Sequence, residues 1–277
     1  MELGITMFAT DQTMSVVELA RAAEEREFAS LYIPEHTHIP TSRRTPPPTG
    51  AAELPEEYKR TLDPFVALSA AAAVTSRIRL GTGICVIAQR EPIVTAKAVA
   101  TLDLVSDGRF AFGIGFGWNQ DEIEHHGVDF ARRRDHAREH VLAMKALWHD
   151  DVAEFHGEFV DFAPSWSWPK PVQRPHPPIL IGGGPGPKVL AAVADYADGW
   201  MPIGGAGIRA ALDDLRLACD TVDRDVATVR IIPFSTIPDP GKLEYYATLG
   251  ITEVVLRVPS AGPETVVPLL DEYAGLL

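Results

Sequence analysis

The chain has only two cysteines, Cys85 and Cys219, in 277 residues, and each falls in a segment whose pattern faces a core. That scarcity argues against a disulfide-stapled scaffold and fits two free thiols in a reducing cytoplasm. No apolar run approaches the roughly 20 residues that a membrane helix needs. No basic segment precedes Glu2-Leu-Gly-Ile-Thr-Met-Phe8 either, so neither a span nor a secretory leader is expected. Cations are also short, 25 Lys and Arg against 38 Asp and Glu, a net charge of −13. A field of that sign repels phosphate backbones and disfavours nucleic acid as a partner. The local basic run Arg132-Arg133-Arg134 stands among Asp129, Asp135 and Glu139 and reads as a solvated helix start. No long polar or Gly/Ser linker divides the chain, which predicts a single domain over residues 1–277.

What is present is a repeated α/β pattern. Residues 79–122 read as a buried strand, a helix from Pro92 to Val105 and a second buried strand, a parallel β-α-β unit. Each strand runs into glycines, Gly81 and Gly83 in the first and Gly113, Gly115 and Gly117 in the second, where a ligand could approach the backbone closely. The same rhythm continues from end to end. Strands are predicted at 3–8, 30–34, 80–86, 110–115, 179–182, 199–203, 229–233 and 253–258. Helices follow at 15–27, 63–74, 92–105, 134–149, 187–197, 206–221, 241–249 and 263–274. Eight strands alternating with eight helices predict a (β/α)8 TIM barrel rather than an open doubly wound sheet. Two stretches break the rhythm. A long loop after strand two, residues 36–62, falls on the catalytic face; residues 150–178, with a short hairpin expected about His156-Gly157, fall on the opposite face and read as structural.

Barrel active sites lie at the carboxyl ends of the strands. That rim carries Glu35-His36-Thr37-His38, Gly115-Phe-Gly-Trp-Asn119 and Gly182-Gly-Gly-Pro-Gly-Pro-Lys188. It lacks the several carboxylates of a glycosidase and a strand-end lysine for Schiff-base chemistry. The glycine run after strand five opens a helix, where free N–H groups and the helix dipole suit a phosphate, although a plain tight turn would read the same. It is neither a Walker loop nor a dinucleotide fingerprint, since Pro187 stands where the third glycine belongs, as Trp118 does in the Gly113-x-Gly-x-Gly117 run. Alternation would send His36 and His38 to one side, a possible metal pair, but no convincing third and fourth ligand ends another strand. A polar histidine acting as acid, base or hydrogen-bond donor is the stronger expectation for His36, and His125-His126 are expected on the surface.

Taken in order, several of these pieces match a known family. The chain resembles the luciferase-like monooxygenase superfamily, and within it the small coenzyme F420-dependent oxidoreductases. The likeness rests on Pro34-Glu-His-Thr-His38, Leu80-Gly-Thr-Gly-Ile-Cys85, Ala100-Thr-Leu-Asp-Leu-Val-Ser-Asp-Gly-Arg109, residues 113–122, Ile181-Gly-Gly-Gly-Pro185 and Tyr196-Ala-Asp-Gly-Trp-Met201. The resemblance implies that a deazaflavin ring lies in the barrel mouth against a bulge at Gly83-Ile84, a place where the family often has a non-prolyl cis peptide. It implies a phosphate on Gly183, Gly184, Pro185 and Gly186, with Gly117 and Trp118 lining the ring. It makes His36, with Glu35 beside it, the catalytic candidate, and the loop from Thr37 to Leu62 a cover over the substrate. No metal is implied. Relatives that act on sugar phosphates carry a glutamate where this chain has Trp118, with Glu122 four residues on, so a less polar substrate is expected. The implied activity is hydride transfer between C5 of F420 and an organic substrate in a cytoplasmic homodimer. The alternatives are an FMN-dependent monooxygenase and a deazaflavin-binding protein without turnover.

Overall fold

The computed structural model describes residues 1–47, 50 and 53–277. In chain order the first half comprises β1 (Glu2–Thr6), α1 (Val16–Glu25), β2 (Ser30–Ile33), α2 (Pro64–Ala72), β3 (Arg79–Thr82), β4 (Cys85–Val86), α3 (Pro92–Val105), β5 (Phe110–Gly115), α4 (Gln120–His125) and α5 (Arg133–His149). The second half comprises β6 (Ala153–His156), β7 (Asp161–Ser165), β8 (Ile179–Gly182), α6 (Pro187–Tyr196), β9 (Gly199–Met201), α7 (Ile208–Asp220), β10 (Arg230–Ile231), α8 (Pro240–Thr248), β11 (Glu253–Arg257) and α9 (Pro263–Ala274).

Parallel pairing runs β10-β9-β8-β5-β3-β2-β1-β11, and β4 continues the β3 position by pairing with β5. Hydrogen bonds from Val255 N–H to Pro233 O (2.9 Å) and from Thr236 N–H to Val255 O (3.0 Å) close the ring between the last two strands. The fold is thus an eight-stranded TIM barrel. The segment at 150–178 forms the antiparallel hairpin β6–β7, its turn closed by Gly157 N–H to Val160 O at 2.9 Å.

Local chemistry sets the helix starts. Asp63 Oδ1 accepts from Phe65 N–H and Val66 N–H at 2.9 and 3.0 Å, and Glu91 accepts from Ile93 N–H and Val94 N–H at 3.1 and 2.6 Å. Both caps precede a proline at the first helical position, whose missing N–H is one the helix would not bond internally. Two strands differ from expectation. The predicted strand 80–86 breaks into β3 and β4 at a cis peptide bond between Gly83 and Ile84. The predicted strand 229–233 is regular only at Arg230–Ile231, because Pro233 offers no N–H to a ladder and Ser235 sits at φ 56°. A ninth helix among the described residues, α4, lies beyond β5, outside the eight helices predicted.

The apolar core has two layers. Tyr32, Ala111, Leu180, Met201, Ile232, Phe234 and Val255 fill the barrel, with Ile84 packed against them, while a larger cluster lies between strands and helices. Cys85 and Cys219 are both buried and unpaired in that larger layer. The barrel floor is polar: the buried Glu253 carboxylate accepts from Ser30 Oγ at 2.7 Å and Arg230 Nη2 at 2.9 Å, with Arg79 Nη2 at 3.0 Å. No helix among the described residues is long and apolar enough to cross a membrane.

Candidate active site

At the carboxyl ends of the strands a cavity of ≈ 500 Å³ opens between Phe8, His36, Tyr58, Ile84, Trp118 and Phe234, and extends to Gly182, Gly183 and Gly184. That volume lies within the range of small-molecule sites. A larger hollow of ≈ 610 Å³ lies beside Met1, Glu2 and Ile251 at the amino end of the barrel. Its carboxylate, Glu2, is already bound to Arg79, whereas the carboxyl-end cavity gathers His36, Arg133, Arg134 and Arg257 about an apolar lining.

One side of the site is a buried dyad. His36 Nδ1 lies 2.8 Å from Oε2 and 3.0 Å from Oε1 of Glu122, whose side chain is only 2% exposed. Gln89 Nε2 donates to the same carboxylate at 3.2 Å. A carboxylate accepts only, so Nδ1 of His36 carries the proton, and Nε2 has no hydrogen-bond partner among the described residues. The His36 backbone is pinned by Thr61, which accepts from its N–H at 3.0 Å and donates to its carbonyl at 2.8 Å. The rings of Tyr58 and Trp118 stand 5.4 and 5.9 Å from the imidazole. Trp118 Nε1 is buried and finds no partner among the described residues.

Glu35 does not pair with His36. Its side chain turns towards the strand-three position, where Oε2 accepts from Val86 N–H at 2.9 Å and Oε1 from Arg90 Nε at 2.6 Å. Arg90 in turn donates to Asp63 at 2.7 Å. Glu35 thereby ties the segment after the Gly83–Ile84 cis bond to the start of α2. Burial, reinforced by the Glu35 charge, pushes the Cys85 thiol well up from its ordinary range, so that thiol is no nucleophile. The expected placement of His36 and His38 on one side also fails, because β2 ends at Ile33 and strand alternation does not reach them. His36 turns inward, while His38 Nε2 meets His125 Nδ1 at 2.9 Å on the surface and His126 Nε2 meets Thr37 Oγ1 at 2.8 Å. No group of three or more metal-ligating side chains suited to an ion occurs among the described residues.

The bulge is shaped by what the neighbouring strands omit. A Cβ on Gly115 would lie 2.3 Å from Ile84 Cδ1 and one on Gly182 2.7 Å from it, so the Ile84 side chain fits only between two glycines. Gly117, at φ 73°, turns the chain after β5 so that Trp118 faces the cavity.

The other side of the site suits an anion. In the turn before α6, Gly183 N–H bonds Met201 O at 3.2 Å and Gly186 N–H bonds Gly184 O at 2.8 Å, while Trp200 Nε1 holds Gly183 O at 2.9 Å. Gly184 N–H has no partner among the described residues, and the space where Gly184 and Gly186 would carry a Cβ is open. Pro185 lies in the same exposed turn. Arg133 and Arg134 line the cavity beside it. This corrects the reading of the 132–134 run as solvated: only Arg132 behaves so, bound to Asp135 and Glu158 at 2.7 and 2.9 Å. Arg133 stacks on Phe130 at 3.6 Å, Arg134 lies over Phe116 at 4.3 Å, and Arg134 Nη1 is buried with no partner among the described residues. Burial pushes both guanidinium pKa values down from their ordinary value, an effect that a bound anion would offset. A barrel helix starts at the same end as the active site, and that positional signal in the sequence could have found both residues.

The family model for the luciferase-like monooxygenases matches residues 4–238. The chain belongs to that family. An uncharacterized protein of Mycobacterium tuberculosis is 42% identical over 280 residues, covering 100% of this chain and 99% of that protein. An FMNH2-dependent dimethylsulfone monooxygenase of Pseudomonas putida is 34% identical over 131 residues, 45% of this chain and 36% of that protein. The solved structure of an F420-dependent secondary alcohol dehydrogenase, in complex with an F420-acetone adduct, superposes with a TM-score of 0.77 at 18% identity, covering 100% of this chain and 98% of that one. In this family member, then, one cavity holds a histidine–glutamate dyad at one side and a glycine–arginine cradle at the other.

Proposed function

We propose that this luciferase-like protein is an F420-dependent oxidoreductase that passes a hydride between the deazaflavin C5 and an organic substrate. The observation that carries the reading is the content of one cavity: Arg134, with a buried nitrogen unpartnered among the described residues, and Gly184 in its lining, together with His36 backed by Glu122. The residues fit a phosphorylated, planar cofactor. The Gly184 N–H with Arg134 would hold its phosphate, while Gly183, Pro185 and Gly186 would shape the turn around it. Gly83, Ile84, Gly117 and Trp118 would bound its ring. When bound, the deazaflavin supplies the hydride donor or acceptor.

The chain's own part is positioning and proton handling. Glu122 fixes the proton on Nδ1, so Nε2 of His36 accepts the proton a substrate releases in the oxidative direction and returns it in the reductive one. Phe8, Tyr58 and Trp118 exclude water from that side. The loop between β2 and α2 gives His36 and Tyr58 to the cavity lining and would cover a bound substrate. Residues 48, 49, 51 and 52 of it lie outside the described residues, but Arg44 anchors it to α4 through Asp121 at 2.8 Å and through Glu124. Glu35 serves as a positioning residue, through Val86 and Arg90, rather than as an acid or base.

A second reading, FMN with dioxygen, is favoured by the identity to the dimethylsulfone monooxygenase over less than half of the chain. Fluorescence titration with F420 and with FMN separates the two. A non-catalytic carrier would bind F420 and reduce or oxidise nothing across a broad panel of alcohols, ketones and alkenes.

A further inference from the structure

We infer that Arg257 is a specificity-determining residue, and that the substrate carries a carboxylate or comparable anionic group on a hydrophobic body. The inference deepens the oxidoreductase reading and rests on it for which side of the cavity the substrate takes.

The cavity has cationic groups in two places. Arg133 and Arg134, at the start of α5 beyond β5 and α4, line the cavity together with the glycines after β8. Arg257 ends β11. In the closed ring of eight strand positions, β11 neighbours β1 and β10, and β5 stands four positions away in either direction. Arg257 is therefore across the barrel from the arginines of the phosphate cradle. One phosphate cannot use both.

What surrounds Arg257 belongs to the substrate side. Tyr58 follows Glu57, whose carboxylate is 3.8 Å from the guanidinium, and the Tyr58 ring packs on Phe8 at 4.7 Å and on His36 at 5.4 Å. Among the described residues the guanidinium makes no hydrogen bond, and Glu57 stands beyond hydrogen-bonding distance. The backbone beneath it is fixed: Arg257 N–H donates to Thr236 O at 2.8 Å, and Tyr273 Oη donates to Arg257 O at 3.1 Å. A half-exposed cation on a fixed backbone lines the same cavity as His36, without a hydrogen-bonded counter-ion among the described residues, in a chain of net charge −13. Its five donors match a carboxylate in a fork geometry, and the intervening lining of Phe8, Tyr58 and Phe234 matches an apolar spacer.

The test uses the full chain with and without F420 and two matched probes, 4-phenylbutyrate and 4-phenylbutanamide, followed by calorimetry. The wild type is expected to bind the acid roughly tenfold more tightly than the amide, since the contact is charge-assisted but half exposed to solvent. R257Q should abolish that preference and R257K should keep most of it, with F420 affinity the same in all three proteins. Equal affinity for acid and amide in the wild type, failure of the acid to bind, or a preference that persists in R257Q would overturn the inference. So would a loss of F420 affinity in R257Q that grows with the number of glutamates in the cofactor tail, because Arg257 would then serve the cofactor. The acid–amide comparison is read in the cofactor-free protein as well, so failure to bind F420 would refute the cofactor reading separately.

Discussion

Nδ1 of His36 and Oε2 of Glu122 stand 2.8 Å apart across 86 residues of chain, with both side chains almost withdrawn from solvent. A loop after β2 supplies the imidazole and a short helix after β5 supplies its carboxylate. Replacing His36 by Ala should leave cofactor binding intact and lower turnover roughly 100- to 10,000-fold. Glu122→Gln keeps an acceptor for Nδ1–H but removes the charge, so its loss should be smaller and accompanied by a shifted pH–rate profile. Steady-state rates across pH check this, and unchanged turnover in H36A would remove His36 from the mechanism.

Arg134 has a buried nitrogen with no protein partner among the described residues. A hydrogen bond to a charged group contributes about 1.5–3 kcal/mol, so Arg134→Gln should weaken F420 binding roughly 10- to 100-fold. Circular dichroism and melting temperature should stay near wild type. Titration of both proteins with F420 decides it, and equal affinities would place the phosphate elsewhere.

Glu253 is a buried carboxylate held by Ser30, Arg79 and Arg230 on the barrel floor, remote from the cavity. Removing its charge weakens three buried-end hydrogen bonds, at a cost of about 1–3 kcal/mol because both arginines are partly solvated and Arg79 keeps Glu2. Glu253→Gln should therefore lower the denaturant midpoint strongly while the folded fraction keeps its cofactor affinity. Chemical denaturation with cofactor titration measures both.

His140 is buried in α5, with Nδ1 3.3 Å from Ile87 O. Burial holds its pKa below the ordinary 6.5, the Ile87 carbonyl opposing, and the neighbouring His136 is shifted down as well, burial again leading. The unfolded chain thus binds protons more readily than the folded one. Stability from these groups is fully present above about pH 6.5 and declines as pH falls through that value. Melting temperature should drop between pH 7.5 and 5.5, and His140→Gln should make the decline shallower. A decline of unchanged slope in the variant would assign it to other groups.

The barrel was legible because it rests on period and composition. Strands such as Ile179–Gly182 and Val254 to Leu256 are buried on both faces and read as continuous apolar runs, and Asp63-Pro64 and Glu91-Pro92 mark helix starts by local chemistry. The glycines at 115, 117 and 182 pointed to the cavity for the same local reason. What was not legible is long-range. Glu35 adjoins His36 in sequence, yet a turn of the backbone sends its carboxylate to Arg90, and Glu122 arrives from another strand–helix junction. Arg133 and Arg134 looked solvated because of their acidic sequence neighbours, but Asp135 belongs to Arg132, Asp129 caps Ala131 N–H and Glu139 holds Phe159 and Val160 N–H. Side-chain direction at a helix start depends on which turn precedes it, and a charge pattern does not report that.

The most direct test of the central claim is a fluorescence titration of the purified full chain with F420, repeated with FMN under identical conditions. Micromolar or tighter binding of F420, with FMN markedly weaker, is the result the two-sided cavity predicts. Binding of FMN in preference to F420, or of neither, would contradict it.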